Sequence, residues 1–140
     1  MNPPQFLWSD AWLLQAIVLA TREGPASLGQ ILAAADGVNH ALPTDGELHG
    51  ALVRLTSGGF VVEADPRFAI TDLVPPATVA AIRTSGWKDG RRAASEPLNA
   101  EAWTAERNVR DPRNDVLYDG LTAERIHIAE REYRRRVKSP

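Results

Sequence analysis

The chain of 140 residues contains no cysteine. This absence excludes disulfide bonds, thiolate zinc sites, iron–sulfur clusters and cysteine nucleophiles, and it makes a reducing, cytoplasmic location the default expectation. Long apolar runs are also missing. The longest, from Ala11 to Ala20, is interrupted by Gln15 and is shorter than the roughly 20 residues that a membrane-spanning helix needs. We therefore expect a core helix at this place and no membrane partner.

A large excess of charge of one sign is missing as well. The formal net charge is −2 at pH 7, with seven acidic and three basic residues in 1–70 and eleven acidic and thirteen basic residues in 71–140. A strongly basic nucleic-acid-binding protein would show a clear surplus of Lys and Arg. With 44% hydrophobic and 24% charged residues, the composition is typical of a globular domain with one core.

Helix starts and apolar faces alternate through the first half of the chain. Ser27 with Gln30, and Thr44 with Glu47, form capping boxes, in which each side chain satisfies a backbone N–H group at the other residue. An earlier helix is predicted to begin directly after Ser9. After each start, apolar residues recur at three- and four-residue spacing, which is typical of a helix with one buried face. In the third helix these are Leu48, Ala51, Leu52 and Leu55.

The pattern changes to strands and then returns to helix. Residues 60–63 and 67–71 flank turn residues and predict a β-hairpin, and a further helix is predicted after Pro75-Pro76. Residues 86–97, rich in Gly, Arg and Ser, predict a linker. Residues 98–140 predict a helical extension with helices at about 99–109 and 121–137. Because an extension this short is too small for its own core, we expect it to pack on the domain formed by residues 1–85 or on a second subunit.

The order helix, helix, helix, hairpin, helix resembles a winged helix-turn-helix over residues 10–85. The resemblance depends on the leucine face of the third helix, on Ser57-Gly58-Gly59-Phe60-Val61 and on Phe68-Ala69-Ile70-Thr71. These stretches are similar to bacterial transcription regulators of the multiple-antibiotic-resistance and phenolic-acid types. The resemblance implies a mainly α (α+β) winged-helix fold with a three-helix core. It also implies residues 45–58 as recognition helix, residues 60–71 as wing, and double-stranded DNA as partner.

The outward side of the third helix supplies candidate DNA-binding residues. His49, Arg54 and Ser57 are predicted to face outward, and Arg54 is best suited to contact guanine or phosphate. Thr44 at the helix start and Arg67 on the wing complete the set. A solvated helix face explains the same residues equally well.

The acidity of this region supports a second hypothesis, a winged-helix protein-interaction module without DNA binding. Residues 36–67 contain five acidic and two basic residues, whereas DNA affinity depends on neutralising phosphates. Gly46 and Gly50 each lower the stability of a helix by about 1 kcal/mol relative to alanine at the same interior position. Together with Val53, they predict a groove that another backbone can approach, either a partner helix or the C-terminal segment of this chain. Packing within the chain is the more frequent of these two arrangements.

The last helix predicts a second candidate interface. Its apolar stripe consists of Ile126, Ala129, Tyr133 and Val137. This stripe suits intramolecular core and also suits the seam of a homodimer. Its basic cluster consists of Arg131, Arg134, Arg135, Arg136 and Lys138. These bases complement the helix dipole and follow glutamates at i,i+4 spacing, although a phosphate-contacting role is a second interpretation.

Enzyme motifs are absent from the sequence. It contains no GxSxG, no phosphate-binding glycine loop, no HExxH and no dinucleotide fingerprint. The histidines His40, His49 and His127 do not pair at ligand spacing on one helix, so we expect no metal and no cofactor. A small-molecule enzyme is therefore the third hypothesis, after DNA binding and protein interaction.

Overall fold

The computed structural model describes residues 6–64, 66–100 and 112–138. The helices and strands in this part of the chain are α1 (Trp8–Ala20), α2 (Leu28–Asn39), α3 (Asp45–Ser57), β1 (Val61–Ala64), β2 (Arg67–Ile70), α4 (Pro76–Thr84), α5 (Trp87–Leu98) and α6 (Ala123–Lys138). A short 3-10 helix, Pro112–Asn114, precedes α6. The fold is mainly α with one two-stranded antiparallel sheet, which confirms the predicted fold class.

Helix α1 lies at the centre of the molecule. It packs against α2, α3, α4, α5 and β2, and its residues Ser9–Val18 are all buried. A helix that is apolar on nearly every side has to be surrounded by other elements in this way. Trp12 is completely buried, and its Nε1 donates a hydrogen bond to the Ala35 carbonyl at 3.0 Å, which ties α1 to α2.

The two predicted capping boxes are confirmed. Gln30 N donates to Ser27 Oγ at 3.2 Å and Ser27 N to Gln30 Oε1 at 2.9 Å, and Thr44 and Glu47 exchange the same pair of bonds. The predicted start of α1 after Ser9 is wrong, because Ser9 lies inside the helix. The helix begins at Trp8, because the Asp10 carboxylate accepts the Leu7 N–H at 2.9 Å and so satisfies a backbone group at the helix start.

The hairpin forms where it was predicted. Val61 is opposite Ile70 and Glu63 is opposite Phe68, so these four side chains share one face of the ribbon. Ala26, from the α1–α2 connection, forms an antiparallel bridge with Phe68 and extends the ribbon on its other side. Through this bridge, the completely buried Phe68 connects the hairpin to the helical core.

The predicted linker, residues 86–97, is wrong, because these residues form most of α5. Helix α5 packs against α1 and α4, with Ala94 and Leu98 buried. Gly90 lies at the crossing with α1, where an added Cβ would be 2.8 Å from Gln15 Nε2. Arg91 lies over the Trp8 and Trp87 rings, 4.6 and 5.1 Å from their centroids. The Gly and Arg residues typical of a linker therefore serve close packing and aromatic stacking.

Helix α6 packs against α2 of the same chain. Ile126 and Ala129 are buried there, and the Tyr133 hydroxyl donates a hydrogen bond to the Asp36 carboxylate. A dimer seam built from this stripe is therefore wrong for these three residues, because their side is already covered within the chain. The side chain of Val137 and the predicted helix at 99–109 lie outside what the structure describes. Asn99 itself closes α5 in the left-handed conformation.

None of the helices described here is long and apolar enough to cross a membrane.

Candidate functional site

The side chain of Arg54 is the centre of the candidate site, and it does not face solvent as predicted. It runs back over Gly50, one helical turn earlier, and forms an ion pair with Asp10 of α1. Its Nε lies 2.6 Å from Asp10 Oδ2, and its Nη2 lies 3.0 Å from Asp10 Oδ1. This two-point contact matches the planar guanidinium to the carboxylate. The Asp10 side chain has no exposure and that of Arg54 only 11%.

Residues 112–121, named the strap, cover the other side of the same guanidinium. Arg54 Nη2 donates to Asn114 Oδ1 at 2.7 Å, and Nη1 donates to the Arg113 carbonyl. The predicted role of Arg54 as a DNA-reading side chain is therefore corrected. All three of its nitrogens are used by the protein itself, and the strap lies between this side chain and solvent.

Burial dominates the protonation behaviour of Asp10. Removal from water raises the pKa of this carboxyl above its usual range, while the Arg54 guanidinium, by hydrogen bond and by charge, acts in the opposite direction. The carboxylate also accepts the Leu7 backbone N–H. Asp10 thus joins the start of α1, the middle of α3 and, through Arg54, the strap.

Gly46 and Gly50 form the groove that the sequence predicted, and the strap fills it. An added Cβ at Gly46 would lie 3.1 Å from the Asn114 carbonyl oxygen. At Gly50 it would lie 2.5 Å from both Asn114 Oδ1 and Arg54 Nη2. Of the two occupants left open above, the C-terminal segment of this chain is the one observed. Val53, further along α3, is half-buried.

His49 is also engaged by the strap. It is buried, and its Nδ1 accepts the Tyr118 backbone N–H at 2.9 Å. The Tyr118 hydroxyl donates to Glu63 Oε1 of the hairpin at 3.1 Å, and its ring lies 6.2 Å from the Phe68 ring. The prediction that His49 faces outward is therefore wrong, because a strap that is distant in sequence lies on top of it.

Partial burial and the neighbouring carboxylate act together on Tyr118. Desolvation first, and then the charge and hydrogen bond of Glu63, raise the pKa of its hydroxyl to about 12. The phenol therefore holds its proton through the neutral range and serves as a stable donor to Glu63.

The remaining predicted DNA-binding residues are exposed but scattered. Thr44 caps the start of α3, and Ser57 lies at its other end. Arg67 lies on β2, where its Nη1 is 3.3 Å from both the Pro25 carbonyl and Gln30 Oε1. The five predicted residues are thus not gathered into one basic reading surface.

Two further features border α3. An open cavity of about 420 Å³ lies between its first turns and the strap, lined by residues that include Asp45, His49, Tyr118, Asp119 and Thr122. Within residues 6–64, 66–100 and 112–138, no group of three or more His, Asp or Glu side chains is placed to hold a metal ion. The cavity is an open cleft between two segments of the chain.

Asp10, Asn114 and Tyr118 are the site residues that the sequence did not indicate. Asp10 had one usable signal, a carboxylate inside an otherwise apolar stretch, which is typical of a paired buried charge. Asn114 and Tyr118 had none, since their partners are 60 and 69 residues away along the chain.

Comparison with known proteins adds no relative: no protein-family model, no curated protein and no solved structure matches this chain.

Proposed function

We propose that this chain is a winged-helix protein-interaction module that does not read DNA with α3. The observation that carries the proposal is the occupied face of α3. Its only arginine, Arg54, is bound by Asp10, Asn114 and the Arg113 carbonyl, and His49 is bound by the Tyr118 N–H. A recognition helix needs free side chains that reach base edges, and this helix presents few.

The charges at the start of α3 and on the hairpin support the same proposal. Asp45 is exposed at the start of α3, in the position that would approach the phosphate backbone. Arg67, the basic residue of β2, is held towards Pro25 and Gln30. Because phosphate neutralisation supplies most non-specific DNA affinity, this surface favours a protein partner. The proposal includes a cytoplasmic location, which cell fractionation tests.

DNA binding is the second candidate function. It is favoured by the order of three helices and a hairpin, and by the exposure of Thr44, Ser57 and Arg67. For this function the strap would have to leave α3, so that Arg54 and His49 could contact a duplex.

Fluorescence anisotropy with a labelled mixed-sequence DNA duplex at low salt separates the two candidates. The wild-type chain is compared with Gly50→Leu, which forces the strap off α3. Gly37→Leu is the matched control, because an added Cβ at Gly37 meets nothing within 4 Å. Circular dichroism verifies that each variant is folded.

We expect no binding by any of the three proteins. Binding by Gly50→Leu alone would identify a DNA reader masked by its own strap and would contradict the interaction module. The wild-type chain could also bind the duplex in a salt-sensitive way. If His49→Ala or Arg67→Ala weakened this binding, the result would contradict the interaction module as well.

A further inference from the structure

The outward face of α6 carries a row of exposed basic side chains, named the α6 stripe: His127, Arg131, Arg134 and Arg135. At 3.6 residues per turn, positions 127, 131, 134 and 135 lie within about one third of the helix circumference. The opposite side is committed to the core, with Ile126 and Ala129 buried against α2 and Tyr133 bonded to Asp36. The orientation of α6 is therefore set, and the stripe faces solvent.

The arginines of the stripe differ from most of the other arginines whose side chains the structure describes. Arg22, Arg54, Arg67, Arg83 and Arg125 each donate hydrogen bonds to oxygens of the protein. In the part of the chain that the structure describes, Arg131, Arg134 and Arg135 form no hydrogen bond and no ion pair. Glu130 precedes Arg134 at i,i+4 spacing, but these two residues form no ion pair. The three guanidinium groups therefore keep their donors for an external partner.

The surroundings of the stripe bear on the class of partner. Ile128, 42% exposed, lies beside Arg131 and offers an apolar contact. Exposed Glu124 and Glu132 border the row, so a polyanion as broad as a DNA duplex would meet repelling carboxylates. A membrane surface would need several apolar residues on this face. A narrow acidic segment with one apolar side chain satisfies all these features.

The spacing of the stripe favours a helical partner. His127, Arg131 and Arg135 follow each other at four-residue intervals, which is a rise of about 6 Å each. Carboxylates at i and i+4 of a second helix repeat at the same distance, so two helices lying side by side can pair them in register. Guanidinium groups suit such pairs because each can bind a carboxylate at two points.

We propose that the α6 stripe binds an acidic, amphipathic helix of a partner protein. Glu or Asp side chains at i,i+4 spacing pair with Arg131 and Arg135, and an adjacent apolar side chain covers Ile128. This inference rests on the proposed interaction function and specifies the surface and the chemistry of the partner.

The test measures anisotropy of a labelled synthetic helix with glutamates at i,i+4 and leucines on the adjacent positions. The proteins are the full-length wild type, Arg131→Glu/Arg135→Glu and the control Lys88→Glu/Arg92→Glu, which makes the same charge change at exposed residues of α5. We expect the stripe variant to lose about tenfold in affinity and the control to stay within about twofold, because two favourable pairs become repulsive. Ile128→Ala should cost about threefold.

Several outcomes would overturn the proposal. Equal losses in both charge variants would mean that only net charge matters. If a peptide of the same composition in scrambled order bound as tightly as the designed helix, a helical partner would be excluded. A DNA duplex that binds through the stripe, or stripe-dependent self-association in sedimentation, would assign the surface to nucleic acid or to a second copy. The proposed function is tested separately, by DNA binding of Gly50→Leu. A failure of the proposed function and a failure of the stripe proposal are therefore distinguishable.

Discussion

At the scale of single residues, the pair Asp10–Arg54 holds distant parts of the chain together. Asp10 is fully buried at the start of α1, and Arg54 carries its charge from α3 to Asp10 and to Asn114 of the strap. Taking two charges out of water is costly, and the cost is offset only when both partners are present. The pair therefore makes the position of α3 sensitive to either residue.

Asp10→Ala is expected to lower the free energy of unfolding by about 3 kcal/mol, because it leaves the buried Arg54 guanidinium and the Leu7 N–H without their acceptors. The double variant Asp10→Ala/Arg54→Met should recover part of this loss, since it removes the buried cation as well. Urea unfolding measures both, with Glu23→Gln as an exposed control. A single variant as stable as the control would show that the ion pair contributes little.

The raised pKa of Tyr118 makes the free energy of unfolding depend on pH. The folded pKa is raised to about 12, whereas an unfolded tyrosine titrates near 10. The stabilisation is therefore fully present below about pH 10 and is lost as pH rises towards 12. Between about pH 9 and pH 11, the free energy of unfolding should therefore fall more for the wild type than for Tyr118→Phe.

The ionisation midpoint of Tyr118 can be measured directly by tyrosinate absorbance, because the chain has only two tyrosines. The other tyrosine, Tyr133, supplies the matched control. The hydrogen bond to Asp36 raises the pKa of Tyr133 above its usual value as well. Tyr133→Phe should leave the Tyr118 midpoint unchanged. A Tyr118 midpoint near 10 would contradict the hydrogen bond to Glu63.

At the scale of elements, the contact between α3 and the strap depends on missing side chains. Gly46 and Gly50 lie one turn apart, and the Asn114 carbonyl and side chain occupy the space that two Cβ atoms would fill. The glycines thus weaken α3 as an isolated helix and allow a second segment to lie directly on its backbone.

Gly50→Ala is expected to lower the free energy of unfolding by about 1–2 kcal/mol, even though alanine is the better helix former by about 1 kcal/mol. The new methyl group would displace Arg54 and Asn114, which are fixed by bonds to Asp10 and to each other. Gly37→Ala in α2, where an added Cβ meets nothing within 4 Å, should be stabilising or neutral. Urea unfolding of both variants checks the sign, and a stabilised Gly50→Ala would contradict the close contact.

At the scale of the whole molecule, the elements after residue 85 are part of the core. Helix α5 packs on α1 and α4, and α6 packs on α2. Gln15, buried in α1, donates its Nε2 hydrogen to the Trp87 carbonyl at 2.9 Å. A boundary at residue 85 would therefore expose α1 and leave this glutamine without its acceptor.

A fragment of residues 1–85 is expected not to fold, whereas the full chain should unfold in one cooperative transition. Loss of α5 and α6 would uncover apolar sides of α1 and α2 that are buried in the complete chain. Circular dichroism during thermal unfolding measures both proteins. A fragment that melts cooperatively with native-like helix content would show that residues 1–85 are an independent domain.

Signals within four residues of one another were sufficient for much of the fold. The capping boxes at Ser27 and Thr44, the hairpin and the proline-led start of α4 all depend on neighbouring residues, so composition and spacing predicted them. Helix α5 was missed because Gly90 and Arg91 resemble linker residues unless the helices against which they pack are known.

The candidate site depended on contacts that no local pattern contains. Arg54 was identified as an important residue of α3, yet its partner Asp10 is 44 positions away and Asn114 is 60 positions away. A charged side chain near the surface can turn to solvent, to DNA or to a buried carboxylate, and local spacing is the same in each case. Long-range packing sets which of these occurs, because only the assembled core brings a countercharge to the guanidinium and places the strap over α3.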